Sequence, residues 1–159
     1  MDHFKFNFLK SDFIPLLEKI DSTTKPLWGK MNPQQMLEHV SDFFKVSTDK
    51  LHIPFVTVPE HLPKYREFLM SEKEFRENTK APVLPEDPLP VRMADIIEAR
   101  NELEHEVKDF FDFFKHDPEK TTQHPVFGDL NFSEWILLHY KHVKHHLKQF
   151  GIIIPGIGY

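Results

Sequence analysis

A chain of 159 residues with no cysteine and a formal net charge of −5 has the length of one domain with a substantial core. It can form neither a disulfide nor a thiolate metal site. Its acidic balance, with no basic stripe interleaved with aromatics, argues against nucleic acid as a partner. Met1 to Lys10 lacks the apolar core of a signal peptide, and no apolar run approaches the roughly 18 residues of a membrane span. A cytoplasmic setting, with no membrane partner, is therefore expected.

Four helices are predicted. The first covers about 11–20, with Phe13, Leu16, Leu17 and Ile20 on one face. Asp21 to Lys25 form a polar break. The second opens sharply, because Asn32 can cap and Pro33 suits the first helical position, where its missing N–H costs nothing; it runs to about Val46. The third covers about 93–115, where Ile96, Leu103, Val107, Phe110 and Phe114 recur as a core-facing stripe. Pro118 follows its end. The fourth begins after Asn131, with Glu134 three residues on in a capping-box arrangement, and Gly151 is placed to stop it.

Between the second and third helices lie about 45 residues with seven prolines, too many for a tight turn. A short helix is expected within 62–75, an extended path over 80–90, and a strand, if any, over Leu51 to Val58. A crossover this long can carry the chain back along the molecule, so that helices two and three run parallel. With sixteen phenylalanines for a core, the expected fold is all-α: one domain over 1–159, a four-helix bundle with a long crossover between helices two and three.

The chemistry concentrates in histidines. Of the eleven, His139, His142, His145 and His146 fall on the fourth helix. His142 and His146, four apart, share one face about one turn apart, the spacing at which two imidazoles hold one metal ion. At about 100° per residue, Ile136, Val143, Leu147 and Phe150 mark the apolar side. His139, His142 and His146 lie on it or along its edge, and His145 turns toward the polar face. On the second helix, His39 lies on the face marked by Met36, Val40 and Phe43. Packed together, His39, His142 and His146 can converge on one ion.

Three neutral imidazoles make a catalytic ligand set for zinc, nickel or iron, with coordination positions left open. Glu38, Asp42 and Gln149 are near enough in sequence to orient the rings. The competing readings are a hydrogen-bonded core histidine for His39 and a solvated histidine-rich face for His142 and His146. His139 competes as a ligand, being three residues from His142. His3, His52, His61, His105, His116 and His124 are expected at the surface, Trp28 and Trp135 in the core, and Glu102, Glu104 and Glu106 on a solvated face. Neither a phosphate-binding glycine loop nor a nucleophile elbow is present. The Glu-x-x-His spacing of Glu102 and His105 has no second copy to complete a di-iron site.

Pro26-Leu-Trp-Gly-Lys-Met-Asn-Pro-Gln-Gln-Met-Leu-Glu-His39 resembles the start of the second helix in DinB-like proteins. His124-Pro-Val-Phe-Gly-Asp-Leu, then Trp135, then His142-Val-Lys-His-His146-Leu-Lys-Gln149-Phe, resembles their last helix. These stretches cover roughly a third of the chain; 49–90 carries no such signature. The resemblance implies a four-helix bundle holding a divalent metal on three histidines, by motif position His39, His142 and His146. It also implies a metal-dependent enzyme acting on a small molecule, either a hydrolase or a transferase that activates a low-molecular-weight thiol. A homodimer is left open. So are a non-catalytic metal-binding domain and an interaction module acting through the apolar tail Ile152 to Tyr159.

Overall fold

The computed structural model describes residues 1–155, so four residues of the apolar tail lie outside it. The chain is mostly helical. An N-terminal helical run is built from α1 (His3–Asn7), a π-helical turn (Phe8–Asp12), α2 (Phe13–Leu16) and a 3₁₀ turn (Leu17–Lys19). Then follow α3 (Pro33–Ser47), α4 (Leu62–Met70), α5 (Ile96–Phe114), the strands β1 (Thr122–His124) and β2 (Gly128–Leu130), and α6 (Phe132–Gln149).

The helix boundaries follow from caps. Asp2 accepts from Lys5 N, starting the helical run earlier than its apolar stripe alone indicates. Asn32 caps α3 and exchanges side-chain bonds with Gln35, a complete capping box, and Asn131 and Glu134 form a second one at α6. At the end of α6, Gly151 (φ 73°) adopts the left-handed conformation. Its N–H reaches Lys148 O at 3.0 Å while Ile152 N reaches Leu147 O at 2.8 Å, the paired bonds of a Schellman stop.

Partners ascend together along α3 and α5. Gln34 Nε2 meets Met93 O, Lys45 meets Glu102, and Lys50 meets Glu106 and Asp109. The two helices therefore run parallel, as the crossover requires. Along α3 and α6 the partners run oppositely, His39 with His142 and His146, Phe44 with His139 and Ser47 with His139. Phe44, Leu103, Phe110, Trp135 and Val143 fill the space between, each fully buried. Each such side chain contributes about 1.5–3 kcal/mol by burial.

The all-α expectation needs one addition: β1 and β2 pair antiparallel, with Thr122 opposite Leu130 and His124 opposite Gly128. Gly128 turns the chain at φ 77°. The segment Leu51 to Val58 is not a strand. It lies along the hairpin turn through Val56 N to Pro125 O (2.9 Å) and Thr57 Oγ1 to Val126 O (2.8 Å), and Pro54 lacks the N–H that a ladder would need. The acidic face is also revised. Glu102 and Glu106 are turned inward against Lys45 and Lys50, and Glu104 alone of the three is exposed. Among the described residues no helix is long and apolar enough to cross a membrane.

Candidate metal centre

His39 reaches the centre from the second turn of α3, and His142 and His146 from one face of α6. His39 Nε2 stands 2.9 Å from His142 Nε2, which stands 3.1 Å from His146 Nε2. The ring centroids are separated by 4.8, 4.9 and 4.7 Å for the pairs 39/142, 39/146 and 142/146. All three candidate ligating nitrogens lie within 4.8 Å of one another. A tetrahedral zinc with Zn–N bonds of about 2.0–2.1 Å requires neighbouring nitrogens about 3.3 Å apart. The two separations about His142, 2.9 and 3.1 Å, are within a few tenths of an ångström of that spacing. Among the described residues no fourth histidine or carboxylate joins the cluster.

The surroundings keep these rings neutral, the form that donates a lone pair to a metal. Burial, with the nearby His145 adding to it, pushes His39 down to about 4. Burial followed by repulsion from the neighbouring imidazoles holds His142 and His146 well below the ordinary histidine value. Phe43 closes one side, its ring 5.2 Å from His39 and 5.1 Å from His142.

Of the three residues considered as orienters, only Gln149 does that work. Its Oε1 accepts at 2.7 Å from His146 Nδ1, which directs Nε2 into the cluster. Its Nε2 donates to Trp28 O at 3.1 Å, and Leu27 N donates to Gln149 O at 2.7 Å. The loop before α3 is thereby fastened to the end of α6. Glu38 and Asp42 serve the crossover instead. Glu38, 2% exposed, accepts from the Arg92 and Met93 backbone N–H groups at 2.8–3.0 Å. Burial works against its charge, but these bonds outweigh it and hold the carboxyl below its usual range. Asp42 receives the Arg92 guanidinium at 2.8 Å.

His139, the competing ligand, is a core residue. It is 1% exposed, stacks on Phe44 at 3.8 Å, and meets Ser47 Oγ at 3.0 Å. His145 does not face solvent freely. Its ring lies against Trp28 (5.7 Å) and Phe75 (6.1 Å), because the crossover returns over this side of α6. His124 is not at the surface either: it is 6% exposed, and its Nδ1 accepts from Val126 N and Phe127 N at 3.0 and 3.2 Å. Trp135 is fully buried, whereas Trp28 is half-buried at the rim of the site.

A cavity of about 1630 Å³ opens onto the trio. Its walls include Trp28, Phe43, Phe68 and Phe75, and residues 78–90 of the crossover form the far side. The crossover is fixed at both ends. Lys141 donates to Ser71 O and, at 2.6 Å, to Lys73 O; Glu74 pairs with Lys144 at 2.6 Å and Lys148 at 2.5 Å. At the other end stand Glu38 and Asp42. Nothing in the sequence of 71–90 announces this role, since it depends on where α3 and α6 place their charges.

The molecule is thus an α-rich protein with three histidines converging at the floor of a cleft. The chain belongs to the family described as protein of unknown function (DUF1569), which matches residues 55–151. The matched stretch includes the crossover wall, His142, His146 and Gln149; His39 lies outside it. No curated protein and no solved structure matches the chain.

Proposed function

We propose that this chain is a metal-dependent enzyme of DinB-like type, its helices forming a four-helix bundle with a long crossover. His39, His142 and His146 hold a divalent ion, zinc, nickel or iron. The substrate is a small molecule, a low-molecular-weight thiol among the candidates, and the reaction is a hydrolysis or a thiol-S-transfer in a cytoplasmic setting.

The convergence of three imidazole nitrogens within 4.8 Å of one another, with His142 Nε2 standing 2.9 Å from His39 Nε2 and 3.1 Å from His146 Nε2, carries this reading. Three neutral imidazoles without a fourth protein ligand leave coordination positions open, whereas structural zinc sites usually close with four. The trio also faces a cleft large enough for a substrate. A divalent ion there would polarise a carbonyl or lower the pKa of a water or thiol. The chain's own residues supply the rest: Gln149 fixes the tautomer of His146, Phe43 lies against His39 and His142, and residues 78–90 of the crossover form the far wall of the cleft.

The test is elemental analysis of protein purified without a histidine tag, followed by thiol-transfer and hydrolysis assays on the loaded form. About one equivalent of a transition metal is expected in the wild type, with loss in each of His39→Ala, His142→Ala and His146→Ala. Wild-type protein that neither retains nor takes up such a metal would overturn the reading.

A further inference from the structure

Resting on the reading of the histidine centre as the reactive floor of this cleft, we infer that its substrate is an organic anion with an aromatic or bulky apolar body. Lys64, Lys73 and Arg76 receive the negative group and the aromatic walls receive the body.

The charges lining the cleft carry the first half. Each lining carboxylate is already engaged. Arg92 takes Asp42 at 2.8 Å and stands 3.8 Å from Glu38, and Lys144 and Lys148 take Glu74. Lys30 takes Asp87 at 2.6 Å, and Lys80 stands 3.7 Å from Glu86. Lys64, Lys73 and Arg76 also line the cleft. Among the described residues none of these three meets a carboxylate. A chain with 25 acidic and 20 basic residues therefore leaves three uncommitted cations at this cleft and no uncommitted lining acid. Cations with low-dielectric walls behind them raise the local concentration of anions and disfavour cations.

The walls carry the second half. Trp28, Phe43, Phe68 and Phe75 present rings to the cleft, and Phe68 and Phe75 pack on each other at 5.2 Å. Apolar walls with a few placed polar groups are the general form of a small-molecule site, the walls giving affinity and the polar groups orientation. Arg76 directly follows Phe75, so the anion-binding group and a wall ring are delivered by the same stretch of the crossover. The histidine centre adds to the selection, because three neutral imidazoles leave the full charge of a divalent ion uncompensated by protein carboxylates.

The test compares three probes of one shape, 3-phenylpropionate, 3-phenylpropanol and 3-phenylpropylamine, with inorganic phosphate as the anion without a body. Binding is followed by tryptophan fluorescence, since Trp28 lines the cleft, and by calorimetry, on both the metal-loaded and the chelator-stripped protein. The carboxylate is expected to bind about tenfold more tightly than the alcohol, the worth of one charge-assisted hydrogen bond, and the amine most weakly. Phosphate is expected to bind more weakly than the carboxylate. Arg76→Gln and Lys64→Gln, both at exposed positions, are expected to weaken the carboxylate and leave the alcohol unchanged. Alcohol or amine binding as tightly as the carboxylate, phosphate matching it, variants indistinguishable from wild type, or no probe binding at all would each overturn the inference. Metal content measured on the same samples keeps the two readings separate. Selective carboxylate binding by a protein that holds no metal defeats the metal reading and leaves this one standing; a metal-loaded protein indifferent to the probe's charge does the reverse.

Discussion

Gln149 Oε1 stands 2.7 Å from His146 Nδ1, and the same side chain's nitrogen holds Trp28 O at 3.1 Å. One amide thus couples the orientation of a proposed ligand to the position of the loop that precedes α3. Outer contacts of this kind typically change metal affinity by about 10–100-fold. Gln149→Leu is expected to weaken metal binding by that amount in a chelator competition while the circular dichroism spectrum stays that of the wild type. Gly29→Ala should produce a related loss by a different route. Gly29 sits at φ 78°, and an added Cβ would lie 2.9 Å from Gln149 Nε2, so the amide must move or the loop must. Wild-type affinity in both variants would show that His146 is oriented without Gln149.

The four neighbouring histidines of α6 separate by what each ring touches. His142→Ala and His146→Ala are expected to lose most bound metal with modest loss of stability. His139→Ala should keep the metal and lose about 3 kcal/mol in urea unfolding. It removes a ring stacked between Phe44 and Trp135 and leaves a cavity in the core. His145→Ala should keep the metal as well, because its ring lies outside the trio, against Trp28 and Phe75. Elemental analysis beside denaturation curves decides. Metal loss in His139→Ala without destabilisation would reassign that ring to the site.

What the sequence made legible were the features set by local periodicity and caps. Asn32, Pro33 and Gln35 fix where α3 starts, Asn131 and Glu134 do the same for α6, and a three-to-four-residue apolar rhythm fixes which faces turn inward. His39, His142 and His146 could therefore be placed on facing helices from spacing alone. Separating His139 from them required knowing that Phe44 and Phe110 close over it, a contact between residues distant in the chain. The crossover was opaque for the same reason. Glu38 and Asp42 sit beside His39 in sequence, yet the backbone N–H groups of Arg92 and Met93 and the Arg92 guanidinium claim them. His124 read as a surface residue because a hairpin of two three-residue strands is too short for an alternating pattern to show.

The buried His124 gives the fold an acid sensitivity. Burial pushes it down to about 3, below the ordinary value near 6.5. Between those two pH values the unfolded chain binds a proton that the folded chain refuses. The stability is thus fully present above about pH 6.5 and is lost as pH falls through that window, at up to about 1.4 kcal/mol per pH unit for one proton. His124→Asn keeps an acceptor near the Nδ1 position, where Val126 N and Phe127 N donate, and cannot take the proton. In chelator-stripped protein, urea unfolding between pH 4 and 6.5 should show a slope reduced by about one proton in this variant. An unchanged slope would mean that His124 titrates normally in the folded protein.

Removing the proposed metal tests whether the ion makes the fold or works within it. Phe13, Phe44, Phe110, Phe114 and Trp135, all at most 1% exposed, form a core that does not pass through the histidine trio. The long helices α3, α5 and α6 each start on a side-chain cap of their own, Asn32, Asp95 and Asn131. Domains that unfold without zinc lack such a core. Chelation is therefore expected to leave the helical circular dichroism signal intact. It should lower the melting temperature only by the linkage contribution of a lost ligand, about 2.7 kcal/mol when the ion is present at a hundred times its dissociation constant. Reloading with cobalt gives the second readout. With three protein nitrogens and open positions, its visible spectrum should change on titration with azide or a small thiol, because each can enter where the protein supplies no ligand. Collapse of the helical signal on chelation would assign the ion a structural role. A cobalt spectrum indifferent to both ligands would mean that its coordination is already closed and that the cleft beside it serves some other purpose.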